Sequence, residues 1–192
     1  ILESNMSIMG NLTTNHSNRS LEELQKNAWL KQIDILKDQL KGFKGKIYFE
    51  FTIPRMGKRV DNIVIINNIA FIIEFKVGEG GYDKQAINQV IDYTRDLQNF
   101  HEGSHDIMLI PVLVATNADN IEEQTSKVIS HRTAAKSNQF NLAVTLNKYL
   151  ENVGKSIDVQ YWENSIYKPT PTIVEAAKAL FNNHNIEEIT RT

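Results

Sequence analysis

The sequence predicts an α/β fold in which a central mixed sheet is flanked by helices, with an αβββαβ order of core elements. Three observations favour it: helical spacing of apolar residues early in the chain, two strand-like runs joined by Asn67-Asn68, and a second helical segment followed by a strongly apolar run. The chain has 192 residues, of which 41% are hydrophobic, enough for one well-buried core. We therefore expect one main domain.

Local signals predict the first helix and the first strand. Ser20-Leu21-Glu22-Glu23 matches a capping box, and apolar residues recur at helical spacing from there until Gly42. From Lys46 to Thr52, apolar and polar side chains alternate, which is the period of a half-buried strand.

A hairpin, a helix and a buried strand follow. The apolar runs Val60 to Ile66 and Ile69 to Val77 are separated only by two asparagines. Asparagine tolerates positive φ, so this pair fits a two-residue hairpin turn of the primed type. A helical pattern over Tyr82 to Phe100 and an apolar run from Ile107 to Thr116 complete the αβββαβ order.

Beyond Asn117 the secondary-structure signals weaken. Glu122 to Ser130 is compatible with a helix or a loop, and Asn141 to Val153 favours a helix. A second capping box at Thr172 to Glu175 predicts a helix to about Phe181. The predicted organisation has three parts: a flexible tail over 1–19, the main domain over 20–165, and a linker with a helix over 166–192.

Composition and charge exclude several classes of protein. The formal net charge is −2, so no global excess of positive charge marks a partner of polyanions. Cysteine is absent, which excludes disulfides, thiolate zinc sites and cysteine nucleophiles. Neither a leader pattern nor an apolar run of bilayer length occurs, so we expect a cytoplasmic protein without a membrane partner. The sequence does not specify an oligomeric state.

Three charged residues are predicted to converge at one end of the hairpin. If Asn67-Asn68 forms the loop, counting outward places Asp61 opposite Glu74, and opposed residues share a face of the sheet. Two carboxylates there repel each other unless a cation lies between them or one is protonated. Lys76 shares the face of Glu74, because strand side chains alternate with a period of two.

This arrangement predicts a site for a hard divalent cation. The Asp61 and Glu74 carboxylates, with the main-chain carbonyl of Phe75, are ligands that suit Mg²⁺, and Mn²⁺ can substitute. The Lys76 ammonium is placed to position a water and offset charge on a phosphoryl group. The alternative is a polar end of a purely structural hairpin.

Other side chains are candidates for the same site. Gln89 and Tyr93 lie one helical turn apart and share a face, although this spacing also occurs on ordinary helix surfaces. A locally basic strip is predicted to contact phosphates without reading sequence. The basic candidates are Arg55, Lys58 and Arg59, and the candidates for an extra acidic ligand are Glu50 and Glu23.

The order of these motifs resembles that of a known nuclease superfamily. Gly57-Lys58-Arg59-Val60-Asp61, then Glu74-Phe75-Lys76, then Gln89-Val90-Ile91-Asp92-Tyr93, are similar to the motifs of the RecB-like branch of the PD-(D/E)XK nucleases. The resemblance implies a restriction-endonuclease-like fold and a cytoplasmic hydrolase with a role in antiviral defence or repair.

The resemblance also implies a role for each matched residue. In that family the carboxylates corresponding to Asp61 and Glu74 bind Mg²⁺, and the lysine at the position of Lys76 serves the hydrolytic water. Gln89 and Tyr93 would lie against the substrate backbone.

A second resemblance concerns a possible neighbouring domain. Phe49 to Asp61 is similar to part of the amino-terminal nuclease module of bacterial proteins that carry a Schlafen-like superfamily 1 helicase domain, and Tyr167 to Ala177 resembles the segment just before that helicase. The resemblance implies a helicase domain following this one in the full-length protein. No Gly-x-x-x-x-Gly-Lys-Ser/Thr loop occurs in the chain itself.

The sequence thus leaves competing functional hypotheses. The first is a Mg²⁺-dependent nuclease that hydrolyses phosphodiester bonds, with DNA favoured over RNA. The second is a catalytically silent module of the same fold that binds nucleic acid or docks the helicase. A third is a purely structural interaction domain. The presence of Asp61, Glu74 and Lys76 together favours the first.

Overall fold

The computed structural model describes residues 4–13, 22–119, 133–150 and 154–187. Its sheet has five strands: β1 (Lys46–Thr52), β2 (Arg59–Ile66), β3 (Ile69–Lys76), β4 (Met108–Ala115) and β5 (Ala135–Ser137). The helices are α1 (Asn5–Thr13), α2 (Glu22–Gln39), α3 (Lys84–Phe100), α4 (Leu142–Asn147), α5 (Val159–Glu163) and α6 (Pro171–Glu187), with a short 3₁₀ helix at Glu102–Ser104.

The sheet is mixed, with its strands in the spatial order β1-β2-β3-β4-β5. The first three strands pair antiparallel, whereas β4 runs parallel to β3 and β5 runs parallel to β4. The order α2-β1-β2-β3-α3-β4 confirms the predicted αβββαβ core. The predicted first strand has the bounds that the structure shows for β1.

The β2–β3 hairpin has the register predicted from its loop. Ile66 pairs with Ile69 and Ile65 with Ala70. Asn67 has a φ of 53°, and Asn68 is not among the residues with positive φ. A positive φ at the first central position is a feature of both primed hairpin turns, as expected for this loop.

Helices cover both faces of the sheet. On one face the strands pack against α2 and α4, and on the other against α3 and the Trp162 side chain of α5. β3 and β4 are therefore buried on both sides, which explains their nearly continuous apolar sequences. The residues of α2 and α4 in the first layer are Ile35, Leu36, Leu142 and Leu146, joined by Leu40 directly after α2, and the helical residues in the second layer are Ala86, Val90, Ile91, Leu97 and Trp162.

The structure differs from the prediction at the amino-terminal end. Residues 1–19 were expected to form a flexible tail, but Asn5–Thr13 is the helix α1. This helix buries Ile8, and the Asn5 side chain donates to the Asp34 carboxylate of α2 at 2.7 Å. Burial of an apolar side chain against α2 stabilises a segment whose own composition is polar. The predicted capping serine, Ser20, lies outside the described residues.

Differences also occur after β4. The helix expected over Asn141 to Val153 is shorter, and α4 ends at Asn147. β5 and α5 were not predicted, because segments of three and five residues are too short to show a period. The segment Glu122 to Ser130 lies outside the described residues.

The predicted linker begins as part of the domain. The main chain of Tyr167 forms an isolated antiparallel β-bridge with that of His101. The Lys168 N–H donates to the Phe100 carbonyl, and the Thr170 N–H donates to the Asn99 carbonyl. These contacts tie residues 167–170 to the end of α3. The helix expected there is longer than predicted, since α6 continues to Glu187.

Candidate functional site

The β2–β3 ladder ends next to the predicted site. Its last pair is Asn62 with Ile73, one step before Asp61 and Glu74. Beyond that pair the Asp61 carboxylate accepts a hydrogen bond from the Phe75 main-chain N–H at 3.0 Å. At this point a side-chain hydrogen bond replaces the main-chain pairing of the two strands. The carboxylates therefore lie just beyond the end of the β2–β3 ladder.

The predicted central residues come together as a chain of hydrogen bonds on the α3 side of the sheet. Lys76 Nζ donates to Glu74 Oε1 at 2.9 Å and to Gln89 Oε1 at 3.3 Å. Gln89 Nε2 then donates to the Tyr93 hydroxyl at 2.9 Å. With Asp61 these four residues form one cluster, which we call the carboxylate site.

The amphipathic character of α3 brings two of these side chains to the site. Its buried positions pack on the sheet, so Gln89 and Tyr93 emerge at the edge of the packed face. Asp83 caps the helix, and its carboxylate accepts from the Ala86 N–H at 3.1 Å. This cap satisfies one of the main-chain N–H groups that the first turn of a helix leaves without an internal partner.

Burial makes the carboxylate site electrostatically strained. Glu74 is only 3% exposed. Burial, the Glu74 charge and the Glu50 charge together raise the pKa of Asp61 to about 7, despite the Phe75 N–H. Burial also raises the pKa of Glu74, against the opposing effect of Lys76. Burial alone would lower the pKa of Lys76, but the two neighbouring carboxylates more than offset this and raise it.

Glu50, a predicted candidate for the extra acid, lies beside the carboxylate site. It occupies the position opposite Asp61 between the pairs Phe49–Asn62 and Phe51–Val60, and its φ of 50° distorts β1 there. Its charge contributes to the raised pKa values of Asp61 and Glu74.

Both Glu50 carboxylate oxygens have partners. Trp29 Nε1 of α2 donates to Oε1 at 2.8 Å, and Arg59 Nε lies 3.2 Å from Oε2. Glu23, the other candidate, is exposed near the start of α2. Within the described part of the chain, no contact joins Glu23 to the carboxylate site.

The donor set fits a hard divalent cation. Glu74 Oε2 is buried and has no hydrogen-bond partner among the described residues, and a buried carboxylate oxygen is costly to leave unsatisfied. The Phe75 carbonyl lies on the same edge of β3 as its N–H, because both groups of a strand residue point the same way, and thus on the Asp61 side. Two carboxylates, one carbonyl and several waters suffice for Mg²⁺.

A closed metal cage is not preformed. In the described ranges, no three His, Cys, Asp or Glu side chains have the arrangement of a metal centre. The physical reason is that Lys76 binds one oxygen of Glu74, the Phe75 N–H binds Asp61, and Trp29 and Arg59 hold Glu50. The unsatisfied oxygen of Glu74 is still available to a cation, and Mg²⁺ sites are usually completed by water and substrate.

The predicted basic residues already have partners within the chain. Lys58 Nζ lies 2.6 Å from an oxygen of Asp96, and this hydrogen bond raises the pKa of Lys58. Arg59 pairs with Glu50 as described above. The Arg55 guanidinium lies over the Tyr167 ring, 5.7 Å from its centroid. A phosphate would have to compete with these contacts.

Sequence reasoning missed three residues around the site. Trp29 orients Glu50 from α2, Asp96 holds Lys58 from α3, and Tyr167 lies under Arg55. Only Asp96 had a usable signal, because it follows Tyr93 by three residues and therefore lies near the same helix face. The other two contacts join residues far apart in sequence.

Comparisons with known proteins do not add to this description. No protein-family model matches the chain, and neither a curated protein nor a solved structure matches it significantly. None of the described helices is long and apolar enough to cross a membrane.

Proposed function

We propose that the chain is a metal-dependent nuclease domain that hydrolyses phosphodiester bonds of nucleic acid, with DNA favoured. The observation that carries this proposal is the buried Glu74 carboxylate, one oxygen of which has no partner among the described residues. It lies at the same end of the β2–β3 hairpin as Asp61 and Lys76. A purely structural hairpin gains nothing from two buried, mutually repelling carboxylates.

Each residue of the carboxylate site has a role in this proposal. Asp61, Glu74 and the Phe75 carbonyl would hold Mg²⁺ or Mn²⁺, which when bound supplies Lewis-acid stabilisation of phosphoryl charge. Lys76, already at 2.9 Å from Glu74, would position the attacking water and offset negative charge that develops in the transition state.

The helix residues would orient the reacting groups. Gln89 accepts from Lys76 and donates to Tyr93, so it restricts the orientation of both. The Tyr93 hydroxyl has a donor left for a phosphate oxygen, because it acts as an acceptor towards Gln89. Positioning of this kind accounts for much of the barrier lowering in phosphoryl transfer.

Two observations favour a second candidate, a catalytically silent nucleic-acid-binding or helicase-docking module. The Lys76–Glu74 pair can substitute for a metal by neutralising one carboxylate, and a raised Asp61 pKa allows the other to be protonated. Such a site would be stable without a cation. Metal-dependent cleavage of nucleic acid distinguishes the nuclease from the silent module.

The test is a cleavage assay on the whole chain. Circular and linear DNA and RNA are incubated with the protein in Mg²⁺, in Mn²⁺ and in EDTA. We expect cleavage with either ion and none in EDTA. Asp61→Ala should abolish cleavage because it removes a ligand, while Asp38→Ala, which changes an exposed aspartate of α2, should leave the rate unchanged. Binding of nucleic acid without cleavage in either ion would instead establish the silent module.

A further inference from the structure

An arginine and two aromatic rings form a stack at the far end of α3. The Phe100 and Tyr167 rings are parallel within 3°, with centroids 5.6 Å apart. The Arg55 guanidinium lies 5.7 Å from the Tyr167 centroid. Both rings are only partly buried. We call this group the aromatic platform.

The backbone holds the aromatic platform in place. Tyr167 is bridged to His101, and the Lys168 N–H donates to the Phe100 carbonyl at 2.8 Å. Arg55 sits in the β1–β2 connection with a φ of 59°, a conformation unfavourable for a residue with a Cβ and usually retained at functional positions. The stack is thus a rigid surface, which lowers the entropic cost of binding a planar group.

The aromatic platform is connected to the carboxylate site along one face of α3. Gln89, Tyr93, Asp96 and Phe100 follow each other at intervals of four, three and four residues, which keeps them on one side of a helix. At the helical rise, the distance from Gln89 to Phe100 is about 16 Å. Lys58, bound to Asp96, lies between the two ends.

A groove of about 620 Å³ opens beside the two rings. Its other walls come from Pro169 and the first turns of α6, and the single charged residue among the described lining residues is Lys178. The nearest acids on α3 and after it are occupied, since Asp96 binds Lys58 and Glu102 binds Lys168. The surroundings therefore combine partly exposed aromatic rings with positive charge.

We propose that the aromatic platform binds an unpaired base of a single-stranded segment whose backbone continues along α3 to the carboxylate site. Stacked aromatic rings flanked by arginine or lysine are the features by which proteins hold single strands without reading sequence. This inference rests on the proposed nuclease function and narrows its substrate to nucleic acid with a single-stranded portion. A duplex would not offer a base face to the rings.

Equilibrium binding of the whole chain in EDTA, which prevents cleavage, tests the proposal. The probes are a fluorescently labelled oligothymidylate and the same strand annealed to its complement. Tyr167→Ala should weaken single-strand binding by about tenfold or more, while Tyr167→Phe, which keeps the ring, should bind like the wild type. Duplex binding should be the same for all three proteins.

The matched control is Tyr161→Ala, which removes an exposed tyrosine of α5 that contributes nothing to the aromatic platform. It should bind as the wild type does. In a series of oligonucleotides that each carry one abasic position at a different place, the wild type should bind one member more weakly than the others. Tyr167→Ala should bind all members of the series alike. If Tyr167→Ala does not fold, the abasic series with Arg55→Ala gives the same information.

Several results would overturn the inference. The first is that Tyr167→Ala binds single strands with the affinity of the wild type, and the second is that it loses single-strand and duplex binding equally. The third is a self-association of the chain that depends on Tyr167 without any change in nucleic-acid binding, which would identify a protein interface. The outcome for the proposed function is separate. If single-strand binding depends on Tyr167 but no metal-dependent cleavage occurs, the nuclease function is refuted and the role of the aromatic platform is retained. If metal-dependent cleavage occurs but neither cleavage nor binding of single strands depends on Tyr167, the nuclease function is retained and the role of the aromatic platform is refuted.

Discussion

At the scale of single residues, the central feature is a buried glutamate with one satisfied oxygen. Glu74 Oε1 accepts from Lys76, and Oε2 has no partner among the described residues. A buried charge normally recruits a full set of partners. The missing partner and the raised pKa of Asp61 have the same physical cause, which is the removal of two neighbouring carboxylates from water.

Lys76→Ala tests the division of labour at this scale. If Lys76 assists the water and the developing charge, turnover should fall by roughly 10²-fold or more while nucleic-acid affinity changes little. Cleavage rate, affinity and melting temperature are measured together, with Lys41→Ala, an exposed lysine after α2, as the control. Unchanged cleavage in Lys76→Ala would refute the catalytic assignment.

Asp61→Asn tests the repulsion between the carboxylates. Without metal the variant should melt at a higher temperature than the wild type, because it removes one of two like charges from a buried site. At Mg²⁺ tenfold above its dissociation constant, the wild type should gain ~1.4 kcal/mol, or about 3 to 6 °C. The variant should gain much less. A thermal melt with and without Mg²⁺ decides, and equal shifts in both proteins would exclude Asp61 as a ligand.

At the scale of elements, the hairpin and its neighbour β1 position the carboxylates. The two-residue loop sets the register of β2 and β3, and this register determines which residues lie at the end that carries the carboxylates. The chain entering β1 passes close to β2 at Gly45, where an added Cβ would overlap the main-chain carbonyl oxygen of Ile65. Gly45 therefore allows the close approach that starts the β1–β2 ladder at Lys46 and Ile65.

Gly45→Ala should consequently destabilise the fold. Relieving an overlap with main chain requires a shift of β1 against β2, for which overpacking costs of ~1–3 kcal/mol are typical. Gly42→Ala is the matched control, since no atom lies within 4 Å of a Cβ added there. It should be neutral or slightly stabilising. Urea unfolding of both variants measures the difference, and equal stabilities would contradict the packing argument.

At the scale of the whole molecule, His101 joins elements that are distant in sequence. Its ring contacts Phe51 of β1 and Trp162 of α5, with centroids 5.9 and 4.8 Å away. Its Nδ1 lies 2.7 Å from Ser104 Oγ, and that oxygen accepts a hydrogen bond from Trp162 Nε1 at 3.0 Å. The histidine is fully buried, so it packs as a neutral ring.

This burial predicts a loss of stability in acid. Burial and the neighbouring His105 lower the pKa of His101 to about 4, whereas an unfolded histidine titrates near 6.5. Between these values the unfolded chain binds the extra proton, so stability falls as the pH drops from about 6.5 towards 4. The contribution should be ~2 kcal/mol between pH 7 and about pH 5.

Urea unfolding at both pH values, in the wild type and in His101→Gln, isolates this contribution. The variant should be less sensitive to acid by about that amount, even if its stability at neutral pH is lower. The same acid sensitivity in both proteins would mean that other groups cause the loss.

The amino-acid sequence by itself determined the core and its register. Alternation, turn chemistry and helix periodicity are local properties, and they predicted the bounds of β1, the hairpin pairing and the αβββαβ order. Because register follows from the loop by counting, the sequence also placed Asp61, Glu74 and Lys76 at one end of one face. The helical period also predicted that Gln89 and Tyr93 share one face of α3.

Only the tertiary structure decided which partners these residues have. Trp29 and Arg59 hold Glu50, Asp96 holds Lys58, and Tyr167 lies under Arg55. Arg59 reaches Glu50 because β1 and β2 are neighbours in the sheet. The contacts made by Trp29, Asp96 and Tyr167 depend on how a helix or the segment after α5 lies against the twisted sheet, and no local period encodes that geometry. For the same reason, only the tertiary structure shows that Glu74 Oε2 has no hydrogen-bond donor among the described residues.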